Sequence, residues 1–284
     1  MKARWILLAV LGPACSPEPA VTQDKPAVAI IGTGTLAGTL GPVMGAHGYR
    51  VFYGSRDPAR ESVRALVERT GAKASAAGPR EAAGQAQIIL LAVPGEVVEE
   101  VAGSLGALDG RIIIDVSGGE KRVAPDGYLE LVSDSTRAER IQSRHPRQRV
   151  VRINLPNMFL FLDPLLLGAR VTVPIAGNDP RAREAVAEIM FDLGVDPWDA
   201  GPLRFSRVFD AWNVMGLIPA QQGRPEGHDL SLLPSVPLSC FVDVAALFGF
   251  GKPYDMNGLP KFPRRQPLLT CDEWRRRVGM EQKQ

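Results

Sequence analysis

The sequence predicts an α/β fold, a doubly wound parallel sheet followed by an irregular C-terminal extension. Three observations carry this reading. Near-continuous apolar runs recur as PAVAIIG, QIILLAV and RIIIDV, the pattern of central strands covered on both faces. Between them lie stretches with helical spacing, such as Leu36, Leu40, Val43 and Met44. The first strand also runs into a glycine pair that opens the first helix. Strands alternating with helices of this length require crossover connections, and hence a parallel sheet.

Taken in order, residues 27–31 form the first strand and residues 35–47 a helix that Gly48 stops. A second strand covers 50–54, and a helix over 58–70 follows with Pro58 in its first turn and Asp57 as its cap. A short strand over 73–75, a short helix over 79–84 and a buried strand over 87–93 continue the alternation. Then come a helix over 95–105 and a buried strand over 111–116. Residues 117–148 are charged with little periodicity and read as a long surface excursion. Regularity returns with strands over 149–153 and 170–176, a helix over 180–193, a strand over 195–199 and a helix over 204–215. The tail is rich in Pro and Gly, with one helical patch over 240–248, and reads as an irregular lobe packed on the sheet. The expected divisions are a signal-like segment and tether (1–26), a dinucleotide-binding domain (27–215) and a C-terminal lobe (216–284).

Charge and cysteine content exclude several function classes. Lys plus Arg number 33 against 31 Asp plus Glu, a formal net charge of +2, too weak a field to make nucleic acid or an anionic membrane the main partner. Cys15, Cys240 and Cys271 lie far apart with no clustered histidine, so neither a metal site nor a disulfide framework is expected. The start, MKARWILLAVLGPACSPEPA, joins a basic end, a short apolar run and a small residue before Cys15. It resembles a bacterial lipoprotein signal with Cys15 as the lipidated residue, and would put the protein outside the cytoplasm on a lipid anchor. The alternative is a misassigned start upstream of a cytoplasmic enzyme. The apolar run is too short to span a bilayer, which takes about 20 residues.

In IIGTGTLAG, Gly32 allows a tight turn, Gly34 lets backbone approach a pyrophosphate, and Ala37 lets helix and strand pack closely. The helix start offers free N–H groups to phosphates. This is the arrangement of a Rossmann-like domain. About 20 residues on, where NAD-binding proteins place an acid on the ribose 2′-hydroxyl, this chain has Ser55 and Arg56, with Arg60 four residues further. An acid would repel a 2′-phosphate, whereas a guanidinium holds it with paired charge-assisted hydrogen bonds. The expected cofactor is therefore NADP(H) rather than NAD(H).

The stretches GTGTLAGTLG, YGSRDPAR, LLAVPGEVVEEV, IIIDVSGG and VPIAGNDPRAREAVAEIMFDLGVDPWDAGPLRFSRVFD occur in this order over residues 27–212. In order and spacing they resemble the NADP-dependent oxidoreductases that use the deazaflavin coenzyme F420, and the related cytosolic domain of the STEAP metalloreductases. Pyrroline-5-carboxylate reductase N-terminal domains share the fold more distantly. The resemblance implies that Thr33, Gly34, Thr35, Leu36 and Ala37 line the pyrophosphate, and that Ser55, Arg56 and Arg60 hold the 2′-phosphate. It implies a nicotinamide-ribose wall of Ala92, Val93 and Pro94, and contacts from Asp115 and Ser117. It places Asn154, Pro156, Asn157 and Met158 on the acceptor side. The chain departs from the family in having DVSGG where an Asp-Val-Thr-Asn-Pro-like stretch is usual.

Hydride transfer to a carbonyl ordinarily needs a proton donor such as His, Lys or Tyr. His47 reads as a helix cap, His145 falls in the excursion, His228 falls in the tail, and no lysine occurs between residues 122 and 251. No catalytic residue is therefore assigned from sequence. When hydride passes between two cofactor rings, holding them face to face can supply most of the catalysis. The expected activity is transfer between NADPH and a flavin-like or deazaflavin acceptor. The alternatives are a non-catalytic NADP(H)-binding sensor or scaffold, and a reductase of a small imine or carbonyl. The oligomeric state stays open, with the apolar helix over 204–215 a candidate surface for a homodimer.

Overall fold

The computed structural model of the protein describes residues 25–155 and 171–221. The chain begins with β1 (Val28–Ile31), α1 (Thr35–Ala46), β2 (Val51–Gly54), α2 (Glu61–Thr70), β3 (Ala74–Ala77) and α3 (Pro79–Gly84). It continues through β4 (Ile88–Leu91), a 3-10 turn (Gly95–Val97), α4 (Val98–Ser104) and β5 (Ile112–Asp115). A hairpin of β6 (Lys121–Val123) and β7 (Leu129–Leu131) precedes α5 (Arg137–Arg144) and β8 (Arg149–Ile153). Then come β9 (Thr172–Gly177), α6 (Pro180–Asp192), β10 (Asp196–Gly201), a 3-10 turn (Leu203–Phe205) and α7 (Ser206–Gln221).

Eight strands form one sheet in the order β10-β9-β8-β5-β4-β1-β2-β3. β1 pairs in parallel with both β2 and β4, so the strand order reverses at β1 and opens a crevice at the carboxyl ends of β1 and β4. The sheet is mostly parallel, with one antiparallel junction between β8 and β9. An antiparallel neighbour needs no crossover over a face of the sheet, unlike the parallel strands before it.

Alternation along the apolar strands explains the two cores. Val28 and Ile30 point to the face packed by Leu40 and Met44 of α1, Leu66 of α2, and Val186, Ile189 and Met190 of α6. Ala29 and Ile31 point to the other face, against Ala82 of α3, Val98 and Ala102 of α4 and Ile141 of α5. All four residues of β1 are buried, which is why this strand reads as apolar throughout. Each fully buried aliphatic side chain contributes about 1.5–3 kcal/mol to this packing.

Three expectations are corrected. The helix expected from residue 58 starts at Glu61, with Arg60 rather than Asp57 at its cap position. The Ser55 hydroxyl accepts from the Asp57 amide, and the Asp57 carbonyl accepts from the Arg60 amide, so residues 55–60 are used up in a turn. The supposed excursion over 117–148 contains the β6-β7 hairpin and α5. Finally, the helix expected to end at 215 runs on to Gln221. Cys15, Pro156, Asn157, Met158, His228 and the patch over 240–248 lie outside the described residues. Among the described residues no helix is long and apolar enough to cross a membrane.

Candidate dinucleotide-binding site

The glycine turn sits at the carboxyl end of β1. Gly32 has φ +115°, and a Cβ there would lie 2.3 Å from the Ala92 carbonyl oxygen at the end of β4. Its own amide donates to the Gly54 carbonyl at 2.9 Å, so this one residue packs the ends of three neighbouring strands together. Gly34 differs. Its φ is −81°, open to any residue, and a Cβ there would meet nothing within 4 Å. Nothing in the fold requires glycine at this position; what a side chain would occupy is the crevice itself.

α1 begins directly after Gly34 with no side-chain cap and no acid in its first turn. The amides of Thr35, Leu36 and Ala37 thus have no intrahelical acceptor, and the positive end of the helix faces the crevice. Ala37 is fully buried against the sheet. Further along α1, a Cβ on Gly41 would collide with the Tyr53 hydroxyl, so helix and strand approach closely enough to fix where the helix start points.

β2 delivers Ser55 to the same edge. Ser55 is buried, and its amide donates to the Ala77 carbonyl at 2.9 Å. Arg56 is exposed and takes no hydrogen-bond or ion-pair partner among the described residues. Arg60 is also exposed, with its Nε 3.9 Å from Asp57. Both guanidiniums are therefore available to an anion at the end of β2. Thr33, Ala92, Val93 and Pro94 border the crevice in sequence order along the ends of β1 and β4, and Pro94 precedes the 3-10 turn.

At the end of β5 lies a charged cluster that the sequence did not suggest. Asp115 is fully buried; one carboxylate oxygen accepts from the Ser117 amide at 2.9 Å, and the other lies 3.7 Å from Arg152 Nε. Arg152 of β8 is also buried, donates to the Ile153 carbonyl at 2.6 Å, and reaches Asp210 of α7 at 3.3 Å. Burial pushes the Asp210 carboxyl above its ordinary pKa, although Arg152 opposes this. A Cβ on Gly119 would lie 2.8 Å from the Asp210 carboxyl group, which is why the loop after β5 carries glycine there. Arg137 of α5 donates to the Gly118 carbonyl, and its guanidinium lies 2.6 Å from where a Cβ on Gly95 would stand. Lys121 donates to the Gly119 carbonyl at 3.1 Å.

The structure brings Asp115 and Ser117 into this cluster and places Asn154 beside it, buried, with its amide donating to the Pro174 carbonyl at 3.1 Å. The Ser117 hydroxyl is buried without a hydrogen-bond partner among the described residues. Arg137, Arg152 and Asp210 were missed because each is a charged residue on an ordinary element, and only the fold brings them together. The two described histidines stand at helix ends. His47 caps α1 and His145 caps α5, at helix ends that return the chain to the opposite edge of the parallel strands. Among the described residues no group of His, Cys, Asp and Glu could hold a metal ion.

Comparison with known proteins finds the same fold. Residues 27–119 match the model of the family described as NADP oxidoreductase, coenzyme F420-dependent. The rat (Rattus norvegicus) metalloreductase STEAP3 is 27% identical over 194 residues, 67% of this chain; the chain spans only 37% of that relative's length. A protein from Arthrobacter sp. FB24, described as an F420-dependent NADP-reductase, superposes with a TM-score of 0.61 at 24% identity. That match covers 72% of this chain and 96% of the other. A hypothetical protein from Sinorhizobium meliloti superposes with a TM-score of 0.55 at 25% identity, over 74% of this chain and 96% of its own. Residues 27–119 are thus similar to the NADP-dependent oxidoreductases of that family, and the domain around them has a Rossmann-like fold.

Proposed function

We propose that the protein transfers hydride between NADPH and a flavin-like or deazaflavin acceptor. The observation that supports NADPH as the hydride donor is the pairing of an open, side-chain-free position at Gly34 with Arg56 at the end of the next strand, which has no partner among the described residues. The first fits a pyrophosphate laid across the start of α1, and the second fits the 2′-phosphate that distinguishes NADP(H). The reduced nicotinamide supplies a hydride when bound.

The chain's own residues bind and orient. The amides from Thr33 to Ala37 hold the pyrophosphate, and Ser55, Arg56 and Arg60 hold the 2′-phosphate. Ala92, Val93 and Pro94 wall the nicotinamide ribose. Asp115 fixes the following loop through the Ser117 amide, leaving the Ser117 hydroxyl to find its hydrogen bond in the ligand. Asn154, at the end of β8, borders the acceptor side, with residues 156–158 continuing from it in sequence.

The test is to mix purified full-length protein with NADPH and offer deazaflavin, FMN, FAD and ferric complexes in turn, following nicotinamide absorbance. Oxidation with a flavin or deazaflavin is expected. Binding of NADPH without oxidation by any acceptor would replace this reading with that of a non-catalytic module.

A further inference from the structure

We propose that Lys121 is the proton donor to the hydride acceptor, an assignment that rests on the hydride-transfer reading above. Lys121 is the first residue of β6, immediately after the loop that leaves β5. Its ammonium turns back over that loop: Nζ donates to the Gly119 carbonyl and lies 3.0 Å from where a Cβ on Gly118 would stand. On the other side of Gly118, its carbonyl accepts from Arg137, whose guanidinium also presses on Gly95, the neighbour of Pro94. Gly95, Arg137, Gly118 and Lys121 are therefore in one continuous chain of contacts. It runs from the wall expected beside the nicotinamide ribose to the lysine amine.

Of the three cations in this cluster, only Lys121 can release a proton. Arg152 is buried between Asp115 and Asp210, Arg137 is buried against the Gly118 carbonyl, and a guanidinium does not deprotonate at usable pH. Lys121 alone stays exposed enough to exchange with solvent. The charged groups facing it come from four elements: Asp210 of α7, Arg137 of α5, Arg152 of β8 and Glu96 of the 3-10 turn. Burial lowers its pKa from the ordinary lysine value; Arg137 and Arg152 add to the fall, and Asp210 and Glu96 oppose it. That brings the amine closer to the range in which general acids work well.

The balance is simple. The acceptor gains a hydride from NADPH, which leaves as NADP+, and a proton from Nζ to the oxygen or nitrogen that becomes electron-rich. An N–H bond of Lys121 breaks, a new bond to hydrogen forms on the acceptor, and water returns the proton to the amine.

The experiment compares the full-length protein with Lys121→Met and Lys121→Arg, using NADPH and a flavin acceptor that the wild type reduces. Both variants are expected to bind NADPH as the wild type does, judged by nicotinamide fluorescence, while kcat falls ~100-fold. The wild-type kcat falls on an alkaline limb, because the protonated amine is the active form, and both variants lose that limb. A readout independent of turnover is acylation across pH followed by mass spectrometry, in which Lys121 becomes reactive at lower pH than the lysine of a free peptide. A Lys121→Met enzyme with near-wild-type kcat, a Lys121→Arg enzyme that recovers the rate, or Lys121 titrating as a free-peptide lysine does would each overturn the assignment. A wild type that oxidises NADPH with no acceptor defeats the hydride-transfer reading itself, and the donor role with it.

Discussion

Gly32 and Gly34 stand two residues apart and are glycine for different reasons, which makes them separable by mutation. Gly32→Ala forces a side chain onto the Ala92 carbonyl at a left-handed φ, so it should destabilise the fold by about 1–3 kcal/mol or more. The Cβ of Gly34→Leu enters open space, so thermal stability should stay near wild type while NADPH binding is lost. A Gly34→Leu protein that binds NADPH normally would move the site elsewhere. Arg56→Asp should weaken NADPH binding by ~10–100-fold, the worth of a charge-assisted hydrogen bond, and leave NADH nearly unaffected. Equal losses for both nucleotides in a fluorescence titration would remove the 2′-phosphate role. These candidate positions could be picked out of the sequence because turn glycines and a basic residue at a fixed offset act locally. Arg152 and Asp210 were not, since they are 58 residues apart in sequence and meet only through the sheet.

α5 shows what a sequence hides at the next scale. Only Arg137, Ala138 and Ile141 of its eight residues are buried, too thin a stripe to register as apolar periodicity. Its start was nevertheless written in the chain: Thr136 accepts from the Glu139 amide at 3.2 Å, and Glu139 accepts from the Thr136 amide at 2.9 Å. This reciprocal cap is the T-x-x-E pattern, here without a long apolar run behind it. The hairpin before it was similarly signalled by Asp126-Gly127, where Gly127 has φ +86°. Partly buried ion pairs then tie α5 to its neighbours, Arg140 to Glu99 at 2.7 Å and to Glu120 at 3.0 Å. Thr136→Ala should cost about 1 kcal/mol in urea unfolding. Because Arg137 follows the cap and bridges two loops of the crevice, the same change should also weaken NADPH binding. Unchanged stability would mean that packing alone holds α5.

Across the whole molecule, one carboxylate ties segments that sequence could not pair. Asp192 at the end of α6 accepts from Lys25 at 2.7 Å and from Tyr49 at 2.6 Å, across 167 and 143 positions. Lys25 also lies over the Tyr49 ring, 4.6 Å from its centre. Burial works against ionising Asp192, but the Lys25 and Tyr49 hydrogen bonds outweigh it and hold its pKa below the ordinary aspartate value. A carboxyl depressed in the folded state contributes stability above its unfolded pKa and loses it as pH falls through the folded value. Wild-type stability should therefore decline in that acid window, and Asp192→Asn should remove this part of the decline while lowering Tm by about 2–4 °C at neutral pH. A variant whose acid profile matches the wild type would show that this junction carries no linkage.

The doubly wound parallel character of the sheet was readable from alternating strands and helices, while the antiparallel β8-β9 junction was not, because a fully buried apolar strand looks the same in either direction. What the whole arrangement claims is a crevice built for a phosphorylated dinucleotide. The most direct measurement is calorimetric titration of the wild-type protein with NADPH and with NADH under identical salt. NADPH binding at least ~10-fold tighter than NADH is the predicted result. Equal affinity for the two, or no binding of either, would contradict it.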